Sequence, residues 1–98
     1  MSNDLFYLYD ESEETKTRFV SFMAESTRFD LAIMTTNRFY GKKLVINIQN
    51  GRSAIIGSDD LEEEGYLEFA FNLNETEAAE LKAFLEQIIY TAGAGDSD

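Results

Sequence analysis

Apolar and polar positions alternate along most of the chain and change to a three-and-four spacing only near its end, a pattern of strands first and a helix last. Residues 5–9, Leu-Phe-Tyr-Leu-Tyr, read as a first strand, and the acidic stretch 10–15 after them as an exposed loop. Residues 17–25 and 28–36 read as a hairpin. With Glu25 opposite Arg28, Ala24 falls against Phe29, Phe22 against Leu31 and Val20 against Ile33, so one face of the ribbon is wholly apolar. A one-residue slip would send that set to the other face, and the Glu25–Arg28 cross-strand pair adds about 0.2–1 kcal/mol. Ser26-Thr27 is a mediocre two-residue turn and leaves the loop type open.

Asn50-Gly51, between residues 43–49 and 52–57, is the strongest hairpin signal. It suits a type I′ turn, in which both central residues take positive φ. That turn sets Ile46 opposite Ile55 on one face and Val45 opposite Ile56 on the other. Residues 66–73 alternate again, with Leu67, Phe69, Phe71 and Leu73 on one side, and read as a half-buried strand. The helix begins at Asn74, whose side chain can accept from freed backbone amides while Glu77 completes a capping box. Ala78, Leu81, Phe84, Leu85, Ile88 and Ile89 recur on one face of it, and Glu75, Glu80, Lys82 and Glu86 on the other. Gly93 is expected to end the helix.

These elements predict an α+β domain: an antiparallel sheet of five to six strands with one C-terminal helix packed on one face. Residues 1–92 form the single domain and 93–98 a disordered acidic tail. A helix of about 17 residues measures about 25 Å by 10 Å, whereas six strands spaced by about 4.8 Å span more than twice that 10 Å width. One helix cannot cover such a sheet. The reverse face is expected to present Phe19, Met23, Met34, Val45 and Ile56, which makes these five the candidate partner-binding residues. The sheet must then curl toward a barrel or meet a partner, and a homodimer reuses one patch for both copies.

Composition narrows the chemistry. The 98 residues contain no cysteine and no histidine, which removes disulfides, thiol nucleophiles, thiolate zinc sites and the commonest general base and metal ligand. At 44% hydrophobic the chain has enough apolar residues for a core. No apolar run approaches the roughly 18 residues of a membrane span, and the start shows no basic-then-apolar signal pattern, so a cytoplasmic protein without membrane contact is expected.

The net charge of −11 is unevenly placed. Residues 1–15 carry −5, residues 16–52 carry +5, and residues 53–98 carry −11. So acidic a molecule is repelled at long range by nucleic acid, which makes that partner unlikely. The basic segment nonetheless supplies the anion-binding candidates Arg18, Arg28, Arg38, Lys42, Lys43 and Arg52, with Phe39 and Tyr40 interleaved as in single-strand binders. The RNP aromatic motif is missing, and Gly41-Lys42-Lys43 lacks the flanking residues of a phosphate loop. The plainer reading is a connecting loop anchored by its aromatics.

The run 59–64 offers Asp59, Asp60 and Glu63 as weak candidates for a hard cation, without the ligand spacing of an EF-hand loop. A solvated acidic loop or short helical turn beginning at Ser58 is the expected structure. Paired carboxylates for glycoside hydrolysis would need a cleft that a domain this small has little room for. Asn74-Glu75-Thr76 matches a glycosylation sequon but coincides with the helix cap. A Ser-x-x-Lys nucleophile pattern does not occur.

Residues 14–22 (Glu-Thr-Lys-Thr-Arg-Phe-Val-Ser-Phe), 28–33 (Arg-Phe-Asp-Leu-Ala-Ile), 38–42 (Arg-Phe-Tyr-Gly-Lys), 51–63 (Gly-Arg-Ser-Ala-Ile-Ile-Gly-Ser-Asp-Asp-Leu-Glu-Glu) and 65–68 (Gly-Tyr-Leu-Glu) together resemble an uncharacterised family of small proteins from low-GC Gram-positive bacteria. The resemblance implies a bacterial cytosolic housekeeping or regulatory protein and brings no catalytic residues and no cofactor. The expectation is therefore a non-catalytic, self-associating interaction or regulatory module. Anion or nucleic-acid binding through residues 16–52 is one alternative, and a metal-dependent enzyme using residues 59–64 another. An acidic nucleic-acid mimic is a fourth, minor idea.

Overall fold

The computed structural model describes residues 4–25 and 27–90. Four strands, β1 (Lys16–Met23), β2 (Arg28–Thr35), β3 (Lys43–Asn47) and β4 (Arg52–Ile56), form an antiparallel meander in the order β1-β2-β3-β4. Three helices follow: α1 (Ser58–Glu62), α2 (Tyr66–Phe71) and α3 (Glu75–Ile89). The α+β class and the C-terminal helix are as expected, whereas the sheet has four strands rather than five or six; of the two possibilities of curling toward a barrel or staying open, it stays open.

Two expected strands are absent from the sheet. Residues 5–9 form no strand among the described residues, the chain bending at Leu8, and every one is exposed. Residues 66–71 form α2 instead of a strand, because their apolar positions satisfy helical spacing as well as alternation. Leu67 and Phe71, four apart, are buried, and Phe69, which the strand reading placed beside them, is 83% exposed. Gly65 at φ 82° before the helix and Asn72 at φ 57° after it bracket one short helical segment, and the Leu73 amide donates back to the Glu68 carbonyl at 3.0 Å. The left-handed region is cheap for glycine and tolerated by asparagine.

Both hairpins keep together the residues expected on one face but shift register by two residues, and the second turns its Val45–Ile56 side toward the helices instead of away from them. The Ala24 amide donates to the Thr27 carbonyl at 2.8 Å, which closes the first hairpin one residue earlier than Ser26-Thr27 would. Val20 therefore faces Leu31, Phe22 faces Phe29 and Met23 faces Arg28, and the Glu25–Arg28 pair does not form. In the second hairpin Asn47 pairs with Arg52, and the Gly51 amide donates to the Asn47 carbonyl at 2.8 Å across a four-residue loop. Gly51 has φ 78°, but Asn50 does not take positive φ, so the turn is not type I′. Its side chain is used elsewhere: Asn50 Oδ1 accepts from the Arg52 amide and Nδ2 donates to the Phe71 carbonyl.

The core lies between the sheet and the three helices. Phe29, Leu31, Ile33, Val45 and Ile56 from the sheet meet Leu61, Leu67, Phe71, Ala78, Leu81 and Leu85 from the helices. Phe22 stacks on Phe84 of α3 with centroids 4.5 Å apart and on Phe29 at 5.4 Å, fixing the helix across the β1–β2 side. Such ring pairs add about 0.5–1.5 kcal/mol beyond their area. The Asn74 cap and its box form as expected, with Glu77 N donating to Asn74 Oδ1 at 2.8 Å and Asn74 N to Glu77 Oε1 at 3.0 Å. The expected helix end at Gly93 and the tail 93–98 lie outside the described residues.

Candidate interaction surface

All three helices contribute to one core on one side of the sheet, which leaves the opposite face without cover. Register assigns its residues: Thr17, Phe19, Ser21 and Met23 on β1, Arg28, Asp30, Ala32 and Met34 on β2, Leu44 and Ile46 on β3, and Ser53 and Ile55 on β4. Phe19, Met23 and Met34 are thus where the sequence placed them. Val45 and Ile56 are not: both are fully buried on the helix side. The seven residues between β2 and β3 set which side of β3 faces the helices, and alternation within β3 does not fix that choice.

Strand β3 makes the face unusual. Leu44 and Ile46 point outward, followed by the half-exposed Ile48, whereas Val45 and the amide side chain of Asn47 point inward. Asn47 is 5% exposed, and its Oδ1 accepts from the Gln49 amide at 3.1 Å. A strand serving a one-sided core would do the reverse. Exposure rises toward the sheet margins, to 73% at Phe19 and 72% at Met23, while Ala32 at the centre is screened to 6% by its neighbours.

One polar node interrupts this surface. Asp30 accepts from Ser21 Oγ at 2.6 Å and Gln49 Nε2 at 2.6 Å, and pairs with Arg28 Nε at 3.2 Å. The Ser21 hydrogen bond, then that of Gln49, hold the Asp30 carboxyl below the usual carboxylate range against the opposing effect of burial, with the nearby Arg28 guanidinium adding a lesser push in the same direction. Arg28 and Asp30 cancel one another, so the node adds no net charge to the face.

The basic candidates do not gather into one strip. Arg28 serves Asp30. Arg38 pairs with Glu11 at 2.8 Å and Glu13 at 3.8 Å and lies 5.7 Å from the ring centre of Tyr9. Lys42 Nζ pairs with Asp60 at 3.1 Å and Asp59 at 3.6 Å, and Lys43 Nζ donates to Thr35 at 3.0 Å. Arg18 and Arg52 are on the two edge strands, at opposite margins of the sheet, and make no ion pair among the described residues. Of the central basic segment, Arg38 is thus tied to acids before it in the chain and Lys42 to acids after it.

The acidic run forms α1, beginning at Ser58 as expected. Asp60 Oδ2 accepts from the Gly57 amide at 2.8 Å as well as from Lys42, so an ammonium group occupies the space between Asp59 and Asp60. The Asp60 hydrogen bond foremost, then the charges of both acids, raise the Lys42 pKa against desolvation. Glu63 caps the end of α1, and among the described residues no three acidic side chains converge where a metal could sit. An open groove of about 260 Å³ beside it is rimmed by Glu62, Glu64, Glu68 and Glu75, with Lys82 at its margin. Among the described residues no helix is long and apolar enough to cross a membrane.

Comparison with protein families matches residues 8–87 to the SAV0927-like family model, so the chain belongs to that uncharacterised family. Comparison with curated proteins gives no match. The matched span takes in the whole sheet, α1, α2 and most of α3.

Proposed function

We propose that this member of the SAV0927-like family is a small non-catalytic interaction or regulatory module of the bacterial cytosol that works as a homodimer built on its uncovered sheet face. The observation that carries the reading is the outward orientation of Leu44, Ile46 and Ile48 beside Met34, Phe19 and Ile55. Apolar area removed from water stabilises an interface by about 25 cal/mol per Å², and a two-fold contact uses the same patch twice. A second copy suits the charge distribution. The net −11 opposes approach of two molecules through their helix sides, where α1 and α3 carry the acids, whereas Arg28 and Asp30 leave the sheet face neutral. The organism class and compartment follow from the resemblance to a low-GC Gram-positive family.

Sedimentation velocity over a dilution series tests this reading with Ile46→Glu beside the wild type. A charge at the centre of a two-fold patch places two like charges together in a desolvated contact. The wild type should sediment as a dimer and the variant as a folded monomer with unchanged helix content. A wild-type monomer at every concentration, or an Ile46→Glu protein that dimerises as well as the wild type, would overturn it.

A further inference from the structure

Residues 5–9 make no contact with the core, and their exposures run from 68% at Tyr9 to 96% at Leu8. Five consecutive large apolar side chains are not the pattern of a solvated loop, nor of a strand with one wet face. A continuous apolar run is the pattern of a strand covered on both sides. The sheet offers one such position. Strand β1 is an eight-residue edge with unpaired backbone groups along its outer side, whereas α1 and α2 lie against the other edge strand, β4. Beside β1, the uncovered face presents Phe19 and Met23, and the helix side presents Phe22, stacked on Phe84, with Ile88 and Ile89 only partly buried. A strand added there would have apolar neighbours on both faces.

The arm does not reach that position on its own molecule. Glu11 and Glu13 bond to Arg38 and Thr36 in the connection after β2, and Tyr9 lies over Arg38. The link to β1 therefore carries on past the end of the sheet on the β2 side instead of turning back along the free edge. We infer that residues 5–9 add as a strand to the β1 edge of a second copy, each molecule receiving the other's arm; this rests on the self-association proposed above and names what covers its margin. Three aromatics per arm bring about 150–250 Å² each, so two arms supply about 900–1,500 Å², on the scale of the roughly 1,000 Å² that a specific interface requires. Charge is complementary as well: β1 carries Lys16 and Arg18 and no acid, while Asp10 directly follows the arm. Main-chain bonding to the edge would supply affinity and the alternate side chains specificity, as in other strand additions.

Isotope-filtered NOE spectra on an equal mixture of ¹³C,¹⁵N-labelled and unlabelled full-length chain report contacts between copies only. Contacts from the Phe6, Tyr7 and Leu8 side chains to Phe19, Met23 or Phe22 are expected, together with at least a tenfold rise in the dimer dissociation constant for the double variant Phe6→Glu, Leu8→Glu. That variant lies outside the core, and unchanged helix content would show that it is folded. A dimer whose intermolecular contacts omit the arm, or whose affinity the double variant leaves intact, overturns arm exchange while self-association stands. A monomer at all concentrations overturns both.

Discussion

Asn50 Nδ2 donates to the Phe71 carbonyl at 2.9 Å, joining the tip of the β3–β4 hairpin to the last turn of α2. Helix C-terminal carbonyls have no partner within the helix, and Phe71 is fully buried, so this bond satisfies an acceptor that water reaches poorly. Asn50 Oδ1 meanwhile accepts from the Arg52 amide at 3.0 Å and shapes the turn. Asn50→Ala removes both bonds and should destabilise the fold by about 1–3 kcal/mol. Chemical denaturation would show the midpoint falling with the slope unchanged, and an unaltered midpoint would mean that the bolt carries no stability.

The cap on α3 gives a second outcome. Asn74→Ala should cost about 0.5–2 kcal/mol, and Asn74→Asp should be nearly neutral because it keeps the acceptor and suits the helix dipole. Equal losses for both variants in thermal unfolding would contradict the capping role.

Asp30 links the uncovered face to pH. Its folded pKa lies below the usual 3.8 because Ser21, Gln49 and Arg28 favour the ionised form. Its contribution is therefore complete above the unfolded value and is lost as pH falls through the folded one. Asp30→Asn should be less stable than the wild type at neutral pH, and the gap should narrow below about pH 4. A gap of constant size from pH 7 to pH 3 would rule out this linkage.

Lys42 behaves in the opposite sense. Its pKa is raised, chiefly by Asp60, so the stability it contributes is fully present below the unfolded value near 10.5 and declines as pH rises through the folded one. Lys42→Met should remove that alkaline decline. Gly57→Ala should act through the same pair, because a Cβ there would sit 2.8 Å from Lys42 Cγ and displace the stem that reaches Asp60. Unfolding curves between pH 8 and pH 11 distinguish the variants, and an identical alkaline limb in wild type and Lys42→Met would count against the pair.

Much of this fold was legible from residue pattern because period-two alternation fixes which residues share a face even where register is wrong. Phe22 and Val20 face the core although each pairs two residues from its expected partner. The Asn74–Glu77 box was legible because both residues act locally. Residues 66–71 were not, since Leu67 and Phe71 fit either period and tertiary packing decided between them. Val45 and Ile56 were misplaced because β3 has apolar residues at both parities. Counting Leu44, Ile46 and Ile48 against Val45 would have shown that one aliphatic set must lie uncovered whichever way the strand turns. Asp30 and Gln49 meet across strands and share no local motif.

The absolute solution mass, measured by light scattering on the chromatographed protein at low and at high salt, tests the central claim most directly. A dimer held by an apolar face gives about twice 11.1 kDa at both salts, since screening only relieves the repulsion between two molecules of charge −11. A mass of 11.1 kDa at both salts would contradict it.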